Sequence, residues 1–191
     1  MARIFLGVVL GVALTLASLF AWFRFGRPPV AVADNPLPMA PALAQAALEA
    51  RIDREAGQPP SLDADATNLI AGAEVYRDHC AACHGYHRHA VGFASHMAPA
   101  APQLWASHPG QEAVGLSGTP LPRIHWMTAN GVRGTGMPAF RNLLTDQELW
   151  QVSLLLASAN KPLPPGALLL LNPAAPSTLA DTLDHAHAAA R

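Results

Sequence analysis

Cysteine, lysine and charge are scarce in this sequence, and no stretch alternates apolar and polar residues. Only Cys80 and Cys83 occur in 191 residues. With two residues between them they cannot close a long-range disulfide within one chain, and a structural zinc site of four cysteines is excluded. Charged residues make up 13% of the chain, about half the globular average. With a formal net charge of -1, the chain lacks the basic field that nucleic acid binding requires. The missing alternation argues against strands and for an all-α chain. Its length suits one compact domain with appendages, not two large cores.

What is present is apolar residues (51%), 18 Pro and 9 His. Residues 4–23 carry no charge and are long enough to cross a bilayer as a helix, with Arg3 before them and Arg24 and Arg27 after. Trp22 and Phe23 suit the headgroup region at one end. We read residues 1–25 as a retained transmembrane anchor. The competing reading is a signal peptide cleaved after Ala31, Val32 and Ala33; the run is long for a signal core, and two arginines separate it from that site. Either reading sends the rest of the chain across a membrane.

Residues 26–66 are broken by Pro28, Pro29, Pro36, Pro38, Pro41, Pro59 and Pro60 and read as an acidic, semi-rigid spacer. Within it, residues 42–56 suit a helix ending at Gly57. A compact domain is expected over 67–163. Its first helix should start at Thr67 or Asn68 and reach His79, with Leu69, Ile70, Ala73 and Tyr76 on one face. A second is expected over 120–130, capped by Thr119, with Pro120 first and Gly131 after it. A third starts after Thr145, which forms a capping box with Glu148 ahead of Leu149, Val152, Leu155 and Leu156. Residues 164–191 form a tail, in which 167–171 are too short to span a membrane and should pack on the domain.

The two cysteines belong to Cys80-Ala81-Ala82-Cys83-His84, the attachment signature of a c-type haem. On one tight turn, two thiols can reach the two vinyl groups on one porphyrin edge and form thioethers. His84 then lies under the ring with its imidazole toward the iron. Rival readings are a redox-active dithiol, which normally follows a strand that is missing here, and a zinc or copper site recruiting His79, His84, His87 or His89.

A sixth ligand would come from Met97, Met127 or Met137. Met127 falls inside a helix and reads as core, whereas Met97 follows His84 too closely to reach the opposite face with ease. Met137 sits in Gly134-Thr135-Gly136-Met137-Pro138, where glycine permits close backbone approach and proline stiffens the strap. Its thioether is a soft ligand that raises the haem potential, so Met137 is preferred and a histidine is the main rival. Histidines in the loop 86–96 read as solvated, with a weak metal site or a pH-sensitive edge as alternatives.

Residues 72–162 resemble the monohaem cytochrome c family, in particular its bacterial membrane-anchored members. The resemblance rests on CAACHG at 80–85, APAAPQLW at 98–105, GVRGTGMPAF at 131–140 and LTDQELWQVSLLL at 144–156. It implies a cytochrome c-like haem domain whose first and last helices cross near the haem, with Gly72 at the close approach and Tyr76 and Trp150 packed there. It also implies one covalent haem c held by Cys80 and Cys83, with His84 and Met137 on the iron. Arg133 is a candidate partner for a haem propionate; Trp105 and Trp126 are candidate walls.

The expected function is outer-sphere electron transfer without catalysis. The chain would sit in the cytoplasmic membrane by a single pass, with its haem domain on the periplasmic side. Its partners would be membrane redox complexes or periplasmic redox proteins, and not nucleic acid. The domain 67–163 carries six basic and five acidic residues, so steering by net charge is weak. The alternative is a haem c subunit of a membrane dehydrogenase or terminal oxidase. A haem peroxidase would need an open iron site.

Overall fold

The computed structural model describes residues 1–106 and 113–172 and contains helices but no strand among them. Two units divide the chain, Met1–Gln45 and Ala46–Arg191.

The first unit is built on α1, Ala2–Phe25, which has no buried residue. It is long and apolar enough to cross a membrane. Its one hydroxyl-bearing mid-helix residue to bond the backbone, Thr15, donates to the Gly11 carbonyl at 2.9 Å. That satisfies the hydroxyl within the helix itself.

The second unit takes in the later part of α2, Ala40–Glu55, and then α3, Ala66–His79, the single turn α4, Ala81–His84, α5, Leu121–Asn130, α6, Asp146–Ala157, and α7, Pro165–Leu171. Its centre is the crossing of α3 and α6. A Cβ on Gly72 would overlap the backbone carbonyl of Gln151, so only glycine lets the two backbones approach this closely. Tyr76 and Trp150 are both buried there, but each ring has another partner. Tyr76 meets Trp105 edge-on at 5.5 Å, and Trp150 stacks on His125 of α5 at 3.8 Å.

The helix ends follow local chemistry, with two departures from expectation. Asp65 caps α3 by accepting from the Asn68 amide, so Thr67 and Asn68 lie inside the first turn. At α5 the cap position is Pro120, and Thr119 makes no side-chain cap. The capping box at Thr145 and Glu148 forms in full. Thr145→Ala should therefore lower stability by about 1 kcal/mol, measured as a shifted urea midpoint at unchanged slope.

The compact unit begins at Ala46, ahead of the start expected at 67. Ile52 of α2 is 1% exposed. Arg123 of α5 pairs with Glu49 and, at 3.6 Å, with Asp53. The Trp126 indole donates to Glu55 at 3.1 Å, and the Arg51 guanidinium lies 5.7 Å from that ring. The helix expected within the acidic, semi-rigid spacer thus docks on α5 through its second half. At the other end, α7 packs on α3 through the fully buried Ala167 and Leu171, and the Leu171 carbonyl accepts from the His87 amide. Residues 173–191 lie outside the described residues.

Candidate haem site

Cys80 ends α3 and begins α4. The Cys83 and His84 amides both donate to the Cys80 carbonyl, and the Gly85 amide donates to Ala81. This winds the motif into one turn with both cysteines free, on the same side as His84. Gly85 at φ +76° turns the chain away; a side chain there would overlap Gln103. Tyr76, inside the core, donates its hydroxyl to the Gly85 carbonyl at 2.7 Å and pins the turn from below. Gln103 adds a strut, donating to the Cys83 carbonyl and accepting from the Val91 amide.

His84 Nδ1 lies 2.8 Å from the Pro102 carbonyl. A carbonyl can only accept, so Nδ1 carries the proton, which in the neutral tautomer leaves the lone pair on Nε2. His84 lines a cleft whose walls are almost wholly apolar. The cleft has a cavity volume of roughly 230 Å³ and is open at its mouth. One wall is Cys80, Cys83 and His84; α5 supplies Ile124 and Met127, α6 supplies Val152 and Leu156, and the strap 132–138 closes the far side. Burial pushes the Cys80 thiol up to about 12. A reactive dithiol needs the opposite shift, toward thiolate.

Met137 lies in this cleft, on a strap shaped by Gly131 at φ +66° and Gly134 at φ +80°. The Met137 amide donates to Thr135 Oγ1 at 3.1 Å, and its carbonyl accepts from the Val132 amide at 3.3 Å. Cys80, Cys83, His84 and Met137, chosen from the sequence, are therefore brought together around one cavity. Met97 and Met127 line it as well.

The histidine loop is separate. His79 and His84 line the cleft, whereas His89 and His96 are exposed and His87 sits against Trp105 at 5.8 Å. Among the described residues, no group of three or more His, Cys, Asp or Glu is placed to hold a metal ion. Neither Trp105 nor Trp126 walls the cleft: Trp105 packs behind the motif on Tyr76, and Trp126 faces α2. Arg133 is exposed and does not line the cleft.

The residues fit a covalently attached haem. Two thiols stand one turn apart, an imidazole nitrogen is freed for iron, a thioether lies in the same cavity, and the walls are dry and apolar. Fold and cleft are consistent with a c-type cytochrome domain. More particularly, residues 67–154, just under half of the chain, match the family model described as Cytochrome C oxidase, cbb3-type, subunit III. No curated protein and no solved structure matches the chain. A domain of this class carries haem c and serves haem-based electron transfer.

Proposed function

We propose that the chain is a membrane-tethered electron carrier with one haem c, bound through Cys80 and Cys83 and ligated axially by His84 and Met137. The observation that carries this reading is the His84–Pro102 bond beside two free thiols at the wall of an apolar cleft. When bound, the haem supplies a one-electron iron couple. The protein's own part is to hold that couple still and dry. Pro102 fixes the imidazole tautomer and increases its basicity. Thr135 and Val132 hold the strap so that Met137 faces the cavity. Apolar walls from α5 and α6 exclude water, which favours the less charged, reduced state.

In this reading α1 is the anchor, and its apolar surface fits lipid. The haem domain lies on the periplasmic side, because c-type attachment takes place outside the cytoplasm. Tethering keeps the domain close to membrane redox complexes, which compensates for weak charge steering. The family match favours a second reading, a haem c subunit of a terminal oxidase. Co-purification with a larger catalytic subunit in mild detergent would select that reading.

Redox titration of the full chain, followed at the haem bands, should give one one-electron wave. The ferrous form should bind carbon monoxide slowly, because the strap must first open. Immediate binding would mean an open iron site and would sink the closed-carrier reading.

A further inference from the structure

One loop touches both His84 and the strap that carries Met137. At its end, Pro102 holds His84 at 2.8 Å. At its start, Met97 reaches across to the strap, where a Cβ added to Gly136 would overlap the Met97 methyl. The backbone of Met97 is well placed for this. Its amide and the Ala101 amide converge on the carbonyl of buried Ala94, at 3.3 and 3.2 Å. Gly136 is not in the left-handed region, so its backbone does not require glycine. What glycine provides there is room for Met97.

The strap's hydrogen bonds tie it mainly to itself. Among the described residues, the hydrogen bonds of residues 132–137 beyond Gly131 run within the segment, from Val132 to Met137 and around Thr135. Pro138 has no amide to offer. A half-buried thioether lies against Gly136, the residue before Met137, and gives the strap an apolar contact with this loop.

We propose that Met97 is a positioning residue, a latch that holds the Met137 strap closed over the iron and sets how often an outside ligand can enter. This rests on Met137 being the sixth ligand. Met97 acts by shape and apolar contact, not through its sulfur, so leucine should replace it and alanine should not.

The test is the rate at which added imidazole displaces Met137 from the ferric full chain, for wild type, Met97→Ala, Met97→Leu and Gly136→Ala. Local opening governs that rate, so Met97→Ala should raise it on the order of tenfold, with Met97→Leu within about twofold of wild type. Gly136→Ala, which pushes the same methyl away from the other side, should also raise it. The guanidinium unfolding midpoint should stay put, which separates a latch from general destabilisation. A sulfur–iron band in the wild type with no acceleration in Met97→Ala or Gly136→Ala overturns the latch and leaves Met137 ligation standing. Acceleration in Met97→Leu equal to that in Met97→Ala also overturns it, since the sulfur would then be needed. A wild type without the sulfur–iron band removes Met137 as ligand, and the latch with it.

Discussion

Replacing Cys80 and Cys83 together by alanine should leave a chain from which all haem is lost on acid–acetone extraction. Wild type should keep one haem per chain through the same treatment. The cleft is open at its mouth and offers mainly apolar walls, so apart from the thioethers only His84 and Met137 would grip the porphyrin. Stabilisation by a reversibly bound group disappears when its free concentration falls below its dissociation constant. Covalent attachment removes that dependence. Each single variant, Cys80→Ala or Cys83→Ala, should retain one thioether and show a red-shifted alkaline pyridine spectrum. Haem that survives extraction in the double variant would place its attachment elsewhere and contradict the site.

Gly72→Val should be the most damaging substitution far from the thiols. Two effects oppose each other there. Replacing a helical glycine by a better helix former gains at most about 1 kcal/mol. Against this, the new Cβ overlaps the Gln151 carbonyl and presses on Leu155, and a backbone carbonyl in mid-helix cannot swing aside. Overpacking of this kind costs about 1–3 kcal/mol, and more where backbone must move. The overlap wins, and valine adds branches that alanine lacks. Expected is a loss of about 3 kcal/mol in guanidinium unfolding of the haem-loaded chain, or failure to accumulate at all. Unfolding within about 0.5 kcal/mol of wild type would mean that α3 and α6 do not cross this tightly.

Much of the site was legible because its chemistry is local. The Cys80–His84 pentapeptide, the Thr145–Glu148 box and the glycine after α5 each need only neighbours in sequence, and the structure forms each of them. Gly72 was legible through resemblance, since glycine inside a helix implies a close neighbour without naming it. The docking of α2 was not legible. Its Glu49, Asp53 and Glu55 look solvated until Arg123 and Trp126 arrive from 70 or more positions away. Separation in sequence also hid the fates of Trp105 and Trp126, whose partners are Tyr76 and α2, not the cleft. Met97 was set aside for its closeness to His84 in sequence. In the fold that closeness lets one loop touch both His84 and the strap that carries Met137. The apolar stripe of α3 starts after Asp65, yet the Asp65 carboxylate accepts from an orphan amide of its first turn.

The central claim is that Cys80, Cys83, His84 and Met137 hold one haem. The visible absorption spectrum of the oxidised full chain, made in a host competent for haem attachment, tests it most directly. The account predicts sharp haem bands with a weak far-red sulfur–iron band that vanishes in Met137→Ala and persists in Met127→Ala. A far-red band that survives Met137→Ala would contradict the ligand assignment, and a colourless wild-type protein would contradict the cytochrome reading itself.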